Sequence, residues 1–119
     1  DDAARLQDEG VDAIWVSNHA GRQFDAAPAT AEVVPHIRAA TTLPVIADSG
    51  VESGLDVLRM LALGADFVML GRGFHFALGA LGAQGPAHLI DILAKDMTAN
   101  MGQMGAKDLG SMPDTIQLT

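Results

Sequence analysis

A histidine and an arginine stand three positions apart in a polar segment that follows a short apolar run. His19 and Arg22 lie within residues 17–25, directly after the apolar residues 11–16. Histidine titrates near neutral pH and can act as a general base, and arginine offers a planar fork that suits a carboxylate. Such a pair is what proton abstraction from a small organic acid requires, although the spacing fits a solvated polar loop equally well.

Two glycine-containing segments, residues 48–54 and 71–73, follow two further apolar runs. Glycines that lead into a helix leave backbone N–H groups free, and these can bind a phosphate. Arg72 would add a positive charge. Strand–glycine–helix turns also occur for packing reasons alone, so that alternative stays open for residues 48–54. The candidate phosphate-binding residues are Asp48, Ser49, Gly50, Gly71 and Arg72.

The elements that must position these residues alternate along the chain. Apolar, often β-branched runs predict buried strands at residues 11–16, 43–47 and 66–70. Helical spacing predicts helices at residues 1–9, 29–40, 55–63 and 86–101, with a loop or short helix at 72–85. Such βα units form a doubly wound sheet or a (β/α)8 barrel. In both, the three segments would follow strand ends at one edge of the sheet.

A complete barrel takes about 250 residues and eight strands, whereas this chain of 119 residues contains three predicted strands. Phosphate sites of such barrels often follow the seventh and eighth strands, which is where residues 48–54 and 71–73 fall if the three strands are the last three. We therefore predict an α/β fold consisting of strands 6–8 of a TIM barrel, incomplete as it stands. The chain starts at Asp1 in a helix-like stretch without an initiator Met, so we expect a fragment of a longer protein.

Composition excludes several classes of function. Hydrophobic residues make up 49% and charged residues 18%, which is typical of a packed domain. A formal net charge of −8 argues against a nucleic-acid partner, and the lack of cysteine excludes disulfides and thiolate sites. No apolar run reaches the roughly 20 residues of a membrane helix. No metal site is expected, and Trp15, in a predicted strand, is expected to be a packing residue.

Residues 17–25, Ser-Asn-His-Ala-Gly-Arg-Gln-Phe-Asp, are similar to the S-N-H-G-G-R-Q-L-D signature of the FMN-dependent α-hydroxy acid dehydrogenases and oxidases. Residues 47–72 resemble the last flavin-phosphate segment of that family, and the similarity continues to residues 105–107. It covers essentially the whole chain and is closest to the bacterial L-lactate dehydrogenases. The resemblance implies that residues 1–119 are the C-terminal part of a single barrel domain.

The resemblance also implies a role for each candidate residue. His19 would take a proton from the 2-hydroxy acid as a hydride equivalent moves to the flavin, and Arg22 would bind the substrate carboxylate. The phosphate-binding candidates would hold the ribityl phosphate of FMN. The implied function is FMN-dependent oxidation of an L-2-hydroxy acid, with L-lactate as the expected substrate, to the 2-oxo acid. The residues that hold FMN would be Asp48, Ser49, Gly50, Gly71 and Arg72.

Partners and location follow from the same resemblance. We expect a small 2-hydroxy acid substrate, an electron acceptor that the sequence does not identify, no nucleic acid, and a homo-oligomer in the full-length protein. We expect a cytoplasmic location or peripheral attachment to the inner face of the cell membrane.

Three positions depart from the family pattern. Ala20 replaces a usual glycine, Phe24 replaces a leucine, and Glu52 stands where the family commonly has a phosphate-binding arginine. A carboxylate would repel phosphate, so either the affinity for FMN is lower or Glu52 turns outward. Three βα units cannot close a barrel, so we expect this chain to be inactive unless a partner segment or a second copy completes it.

Two alternatives remain. Residues 64–71 also resemble phosphate-binding barrels of the inosine-monophosphate dehydrogenase and type 2 isopentenyl diphosphate isomerase families. The first needs a catalytic cysteine, which is absent, and neither explains residues 17–25. The other alternative is an inactive partial barrel that acts as an assembly module by pairing its open strand edges.

Overall fold

Helices and strands alternate along the chain, as the sequence predicts. The computed structural model describes residues 2–115; Asp1, where the first predicted helix begins, and residues 116–119, in the predicted polar terminus, lie outside the described residues. Short 3-10 helices span His19–Gly21, Gly82–Gln84 and Leu109–Thr115. The main elements are α1 (Asp2–Asp8), β1 (Ile14–Val16), α2 (Thr30–Ala40), β2 (Val45–Ala47), α3 (Gly54–Ala62), β3 (Phe67–Val68), α4 (Arg72–Leu81) and α5 (Gly85–Met104).

The three strands form one parallel sheet in the order β1-β2-β3, which confirms the α/β class and the consecutive βα units. All three strands are shorter than predicted. The strongest case is β3, which pairs only with β2 and ends at Val68, opposite the end of β2 at Ala47. The apolar pattern indicates which residues are buried. The number of residues that pair depends on the length of the neighbouring strand, and β2 has only three residues.

In the described part of the chain, helices cover one face of the sheet and leave the other open. Val34 of α2 and Met60 of α3 pack against Ala47 in a buried cluster. The strand register puts Trp15 beside Ile46 and Ile46 beside Phe67. Since neighbouring residues of a strand point to opposite faces, this row faces away from the cluster, and Trp15 and Phe67 are 58% and 61% exposed.

The last helix packs against α3 at a glycine. A Cβ atom at Gly54 would lie 2.6 Å from both the carbonyl oxygen of Leu93 and the backbone nitrogen of Met97, so only glycine permits this close approach. The second buried cluster, with Leu58 and Met112 at its centre, lies on this side of α3.

Polar contacts hold the amino end of the sheet. Asp66 Oδ2 accepts hydrogen bonds from Arg38 Nη1 at 2.9 Å and from the Val45 N–H at 2.8 Å. Arg38 Nη2 also donates to the carbonyl oxygens of Thr41 and Leu43. These bonds join α2, β2 and the start of β3. The candidate residues lie at the opposite, carboxyl end of the sheet. Within residues 2–115, no helix has the length and apolarity needed to cross a membrane.

Candidate functional site

A cavity of about 540 Å³ lies where the three strands end. Its wall is formed by the segments that follow β1, β2 and β3, because the carboxyl ends of parallel strands meet at the same edge of a sheet. The structure thus brings together all the residues to which the sequence assigns a role. The predicted site residues on the cavity wall are His19, Arg22, Asp48, Ser49, Gly50, Gly71 and Arg72.

The loop after β1 presents the two candidate catalytic side chains on a strained turn. His19 and Ala20 both have φ 56°, in the left-handed region that non-glycine residues rarely adopt. The backbone N–H of His19 donates to Ser17 Oγ at 3.1 Å and so supports the turn. In the part of the chain that the structure describes, neither the His19 ring nor the Arg22 guanidinium makes a hydrogen bond or an ion pair, so both are free to contact a ligand.

A hydrogen-bond network ties the β1 and β2 loops together around Asp48. Its Oδ2 accepts from Trp15 Nε1 at 3.0 Å, and its Oδ1 accepts from Ser49 Oγ at 2.6 Å. Ser49 Oγ in turn accepts from the backbone N–H of Ala20 at 3.1 Å. The Asp48 carboxylate, on the cavity wall, is therefore held by two side-chain donors.

Within this chain, the prediction that Trp15 is a packing residue is wrong. Its indole lies on the cavity wall and is more exposed than buried. Strand alternation could have shown this, because Ile14 is buried against the helices and the next residue must point to the other face. Sequence reasoning also missed His75 and Phe76, from the first turns of α4, which line the same cavity.

Unbonded backbone N–H groups gather on the other side of the cavity. Ser49 and Gly50 have φ values of 73° and 75°, and their N–H groups donate to nothing within the described residues. The same holds for residues 71–73, at the first turn of α4, where helix geometry leaves N–H groups without partners. No atom comes within 4 Å of where a Cβ would stand on Gly50 or Gly71, so an anion has room to approach. These donors fit a phosphate group.

Glu52 stands beside these donors. Its Oε1 lies 3.6 Å from Nη2 of Arg72, and both side chains are on the cavity wall. The two expectations for Glu52, a lower affinity for FMN or an outward-turned side chain, stay predictions: the side chain is 75% exposed, and its carboxylate lies near the Arg72 guanidinium.

The start of α3 fixes the segment that carries Glu52. Ser53 Oγ accepts from the Asp56 N–H at 3.1 Å and donates to Asp56 Oδ2 at 2.8 Å, and the N–H of Glu52 donates to the same carboxylate at 3.2 Å. Burial raises the pKa of Asp56, but the hydrogen bonds from Ser53, Glu52 and Arg59 together outweigh it and hold the pKa below the ordinary value of 3.8. The ionised carboxylate is thus part of the helix cap.

No group of three His, Cys, Asp or Glu side chains suitable for a metal ion occurs among the residues that the structure describes. The four histidines are well separated in sequence, and two of them, His19 and His75, line the cavity.

Comparison with known proteins gives consistent matches over this whole region. The family model of the FMN-dependent dehydrogenases matches residues 1–118. The chain is 47% identical over 116 residues to the L-lactate dehydrogenase of Acinetobacter baylyi, covering 96% of this chain and 29% of that protein. It is 50% identical over 111 residues to the L-lactate dehydrogenase of Bartonella tribocorum, covering 92% of this chain and 29% of that protein.

Solved structures match the fold closely. A soluble mutant of the membrane-associated (S)-mandelate dehydrogenase from Pseudomonas putida superposes with a TM-score of 0.92 at 40% identity, covering 98% of this chain and 34% of that one. A mandelate oxidase bound to (S)-2-phenylpropionate gives a TM-score of 0.88 at 41% identity, covering 93% of this chain and 34% of that one. The chain thus spans 29% of the length of the curated relatives named above.

Proposed function

Because the chain belongs to the FMN-dependent dehydrogenase family, we propose that its cavity binds the phosphate end of FMN and a 2-hydroxy acid. The proposed reaction is oxidation of an L-2-hydroxy acid to the 2-oxo acid. The observation that carries this proposal is the meeting of two features in one cavity: the His19 and Arg22 side chains, which have no partner among the described residues, and a cluster of N–H groups that donate to nothing within those residues.

The β1 loop carries the proposed acid–base chemistry. Arg22 binds the substrate carboxylate and so orients the α-carbon, since guanidinium and carboxylate make a planar two-point contact. His19 accepts the hydroxyl proton through its ring, which has no competing partner among the described residues. FMN, when bound, supplies the acceptor for the hydride equivalent that leaves the α-carbon.

The β2 and β3 loops carry the proposed cofactor contacts. The N–H groups of Ser49, Gly50, Gly71 and Arg72 bind the phosphate, supported by the positive end of the α4 dipole. Asp48, held by Trp15 and Ser49, keeps lone pairs free to accept hydrogen bonds from the ribityl hydroxyls.

We further propose that residues 1–119 form the last part, strands 6–8, of a TIM barrel whose other strands lie elsewhere in a full-length polypeptide. Two observations support this. β1 and β3 each have one open edge, which isolated sheets usually protect. The row of Trp15, Ile46 and Phe67 on the uncovered face has the position of side chains that fill a barrel interior.

L-lactate is the substrate that we propose first. The relatives named L-lactate dehydrogenase are 47% and 50% identical to this chain, and the mandelate enzymes are 40% and 41% identical. The larger similarity favours lactate, although the residues that would contact the substrate side chain lie in the proposed remaining strands.

The direct test uses the full-length polypeptide, loaded with FMN and mixed with substrate without oxygen, while the flavin absorbance is followed. We expect rapid bleaching by L-lactate, slower bleaching by (S)-mandelate and none by D-lactate as the stereochemical control. A protein that binds no FMN, or whose flavin is not reduced by any L-2-hydroxy acid, would refute the proposed function.

A further inference from the structure

Glu52 places a negative charge where the proposed function needs a positive one. We propose that Glu52 weakens the binding of phosphorylated flavin by neutralising Arg72, and that it thereby sets how strongly the protein prefers FMN to riboflavin. This inference rests on the proposed function, because it concerns the phosphate end of the same cavity.

The geometry makes Glu52 an internal competitor of the phosphate. Its carboxylate lies 3.6 Å from the Arg72 guanidinium, and both groups line the cavity beside Gly71 and Gly73. A carboxylate and a phosphate offer the guanidinium the same kind of oxygen acceptors. The phosphate therefore has to displace Glu52 from Arg72 or accept a neutral ion pair as its neighbour.

The backbone around Glu52 keeps it in this place. Its own N–H donates to Asp56 Oδ2, and Ser53 closes the cap of α3 immediately afterwards. The side chain is 75% exposed, and that of Arg72 is 52% exposed, so solvent screens the pair and the expected effect is moderate.

The charges predict a selective effect. A phosphate monoester carries about −1.5 to −2 charges at pH 7, whereas riboflavin has no phosphate. Removing the Glu52 charge therefore favours FMN and leaves riboflavin unaffected. From the usual size of exposed charge interactions, applied to a dianion, we expect FMN to bind about 3- to 10-fold more tightly.

The experiment measures the dissociation constants of FMN and riboflavin for the full-length polypeptide and its Glu52→Gln variant. We expect the FMN constant to fall about 3- to 10-fold, the riboflavin constant to stay within about 2-fold, and the gain for FMN to shrink at high salt. The matched control is Glu9→Gln, the same change on an exposed residue beyond the other end of the sheet, which should alter neither constant.

The Arg72→Gln background tests whether Glu52 acts through Arg72. In that background, Glu52→Gln should give a clearly smaller gain in affinity for FMN, because it then removes only the direct repulsion between Glu52 and the phosphate. An equal gain in both backgrounds, an unchanged FMN constant, or a parallel change for both flavins would overturn the inference. If wild type and variant bind neither flavin, the proposed function itself fails, which is a distinct outcome.

Discussion

The two ends of the sheet carry the same kinds of residue, but the hydrogen-bond and ion-pair partners of their side chains differ. At the amino end, Arg38 donates to Asp66 and to two carbonyl oxygens. At the carboxyl end, the Arg22 guanidinium has no partner within the described residues, and the partner that those residues give the Arg72 guanidinium is an exposed carboxylate 3.6 Å away.

Backbone conformation follows the same division. His19, Ala20 and Ser49, the non-glycine residues with positive φ among those described, all lie in loops at the carboxyl end. Strained backbone and unpaired polar groups cost stability, and in βα folds they are concentrated where function needs them. We infer that the amino end contributes stability, whereas the proposed binding site at the carboxyl end reduces it.

The largest effect is expected at His19. In His19→Asn the side chain loses the base while the residue still tolerates a left-handed backbone. We expect flavin reduction by L-lactate to slow about 10²- to 10⁴-fold, with little change in the free energy of unfolding. Stopped-flow absorbance and denaturant unfolding measure the two quantities.

The control for this variant is His36→Asn, on the exposed side of α2, which should reduce flavin at the wild-type rate. A His19→Asn variant within a few-fold of wild type would refute the assignment of His19 as the base.

The amino end should show the opposite behaviour. Arg38→Met leaves the carbonyl groups of Thr41 and Leu43 without their donor, and we expect unfolding free energy to fall by about 1–3 kcal/mol, while the reduction rate per folded molecule is unchanged. The control, Arg5→Met, removes an ion pair in which both side chains are exposed and should cost less than about 1 kcal/mol. If Arg38→Met lowered the unfolding free energy no more than Arg5→Met does, the inference that this end stabilises the fold would be wrong.

The cap of α3 predicts a pH dependence. The pKa of Asp56 is lowered in the folded state, so ionised Asp56 stabilises the fold above its ordinary value of 3.8, and this contribution is lost as the pH falls through the lowered value. Asp56→Asn should cost about 1 kcal/mol near neutral pH, and its stability curve should converge with that of wild type in acid.

Unfolding midpoints measured at a series of pH values check this prediction. Asp12→Asn is the control, because Asp12 is exposed and its side chain has no partner among the described residues, and it should not change the acid slope. A slope that is the same in wild type and Asp56→Asn would contradict the prediction.

The smallest effect is expected at Ala20. Its φ of 56° is one that glycine adopts without strain, so Ala20→Gly should raise the unfolding free energy by about 0.5–1 kcal/mol. Ala39→Gly, in helix α2, is the matched change with the opposite expected sign. Thermal unfolding of both variants measures the difference, and a loss of stability in Ala20→Gly would show that the turn is not strained.

The sequence predicts the helices and the strands, because hydrophobic periodicity is a local pattern. It also predicts that the three loops meet, because the strands of consecutive βα units end at the same edge of the sheet. It does not predict the short β3, whose length depends on the edge of β2. It also misplaces Trp15, because composition favours burial while the face of the strand is decided by register. The side-chain pairing of Glu52 with Arg72 joins two loops, and no local pattern predicts it.

We propose that the carboxyl end of this sheet binds the phosphate of FMN. The most direct measurement is a crystal structure of the full-length polypeptide with FMN bound. We predict phosphate oxygens within hydrogen-bond distance of the N–H groups of Ser49, Gly50, Gly71 and Arg72, with His19 and Arg22 on the other side of the same cavity. A flavin bound with its phosphate away from these loops would contradict the claim.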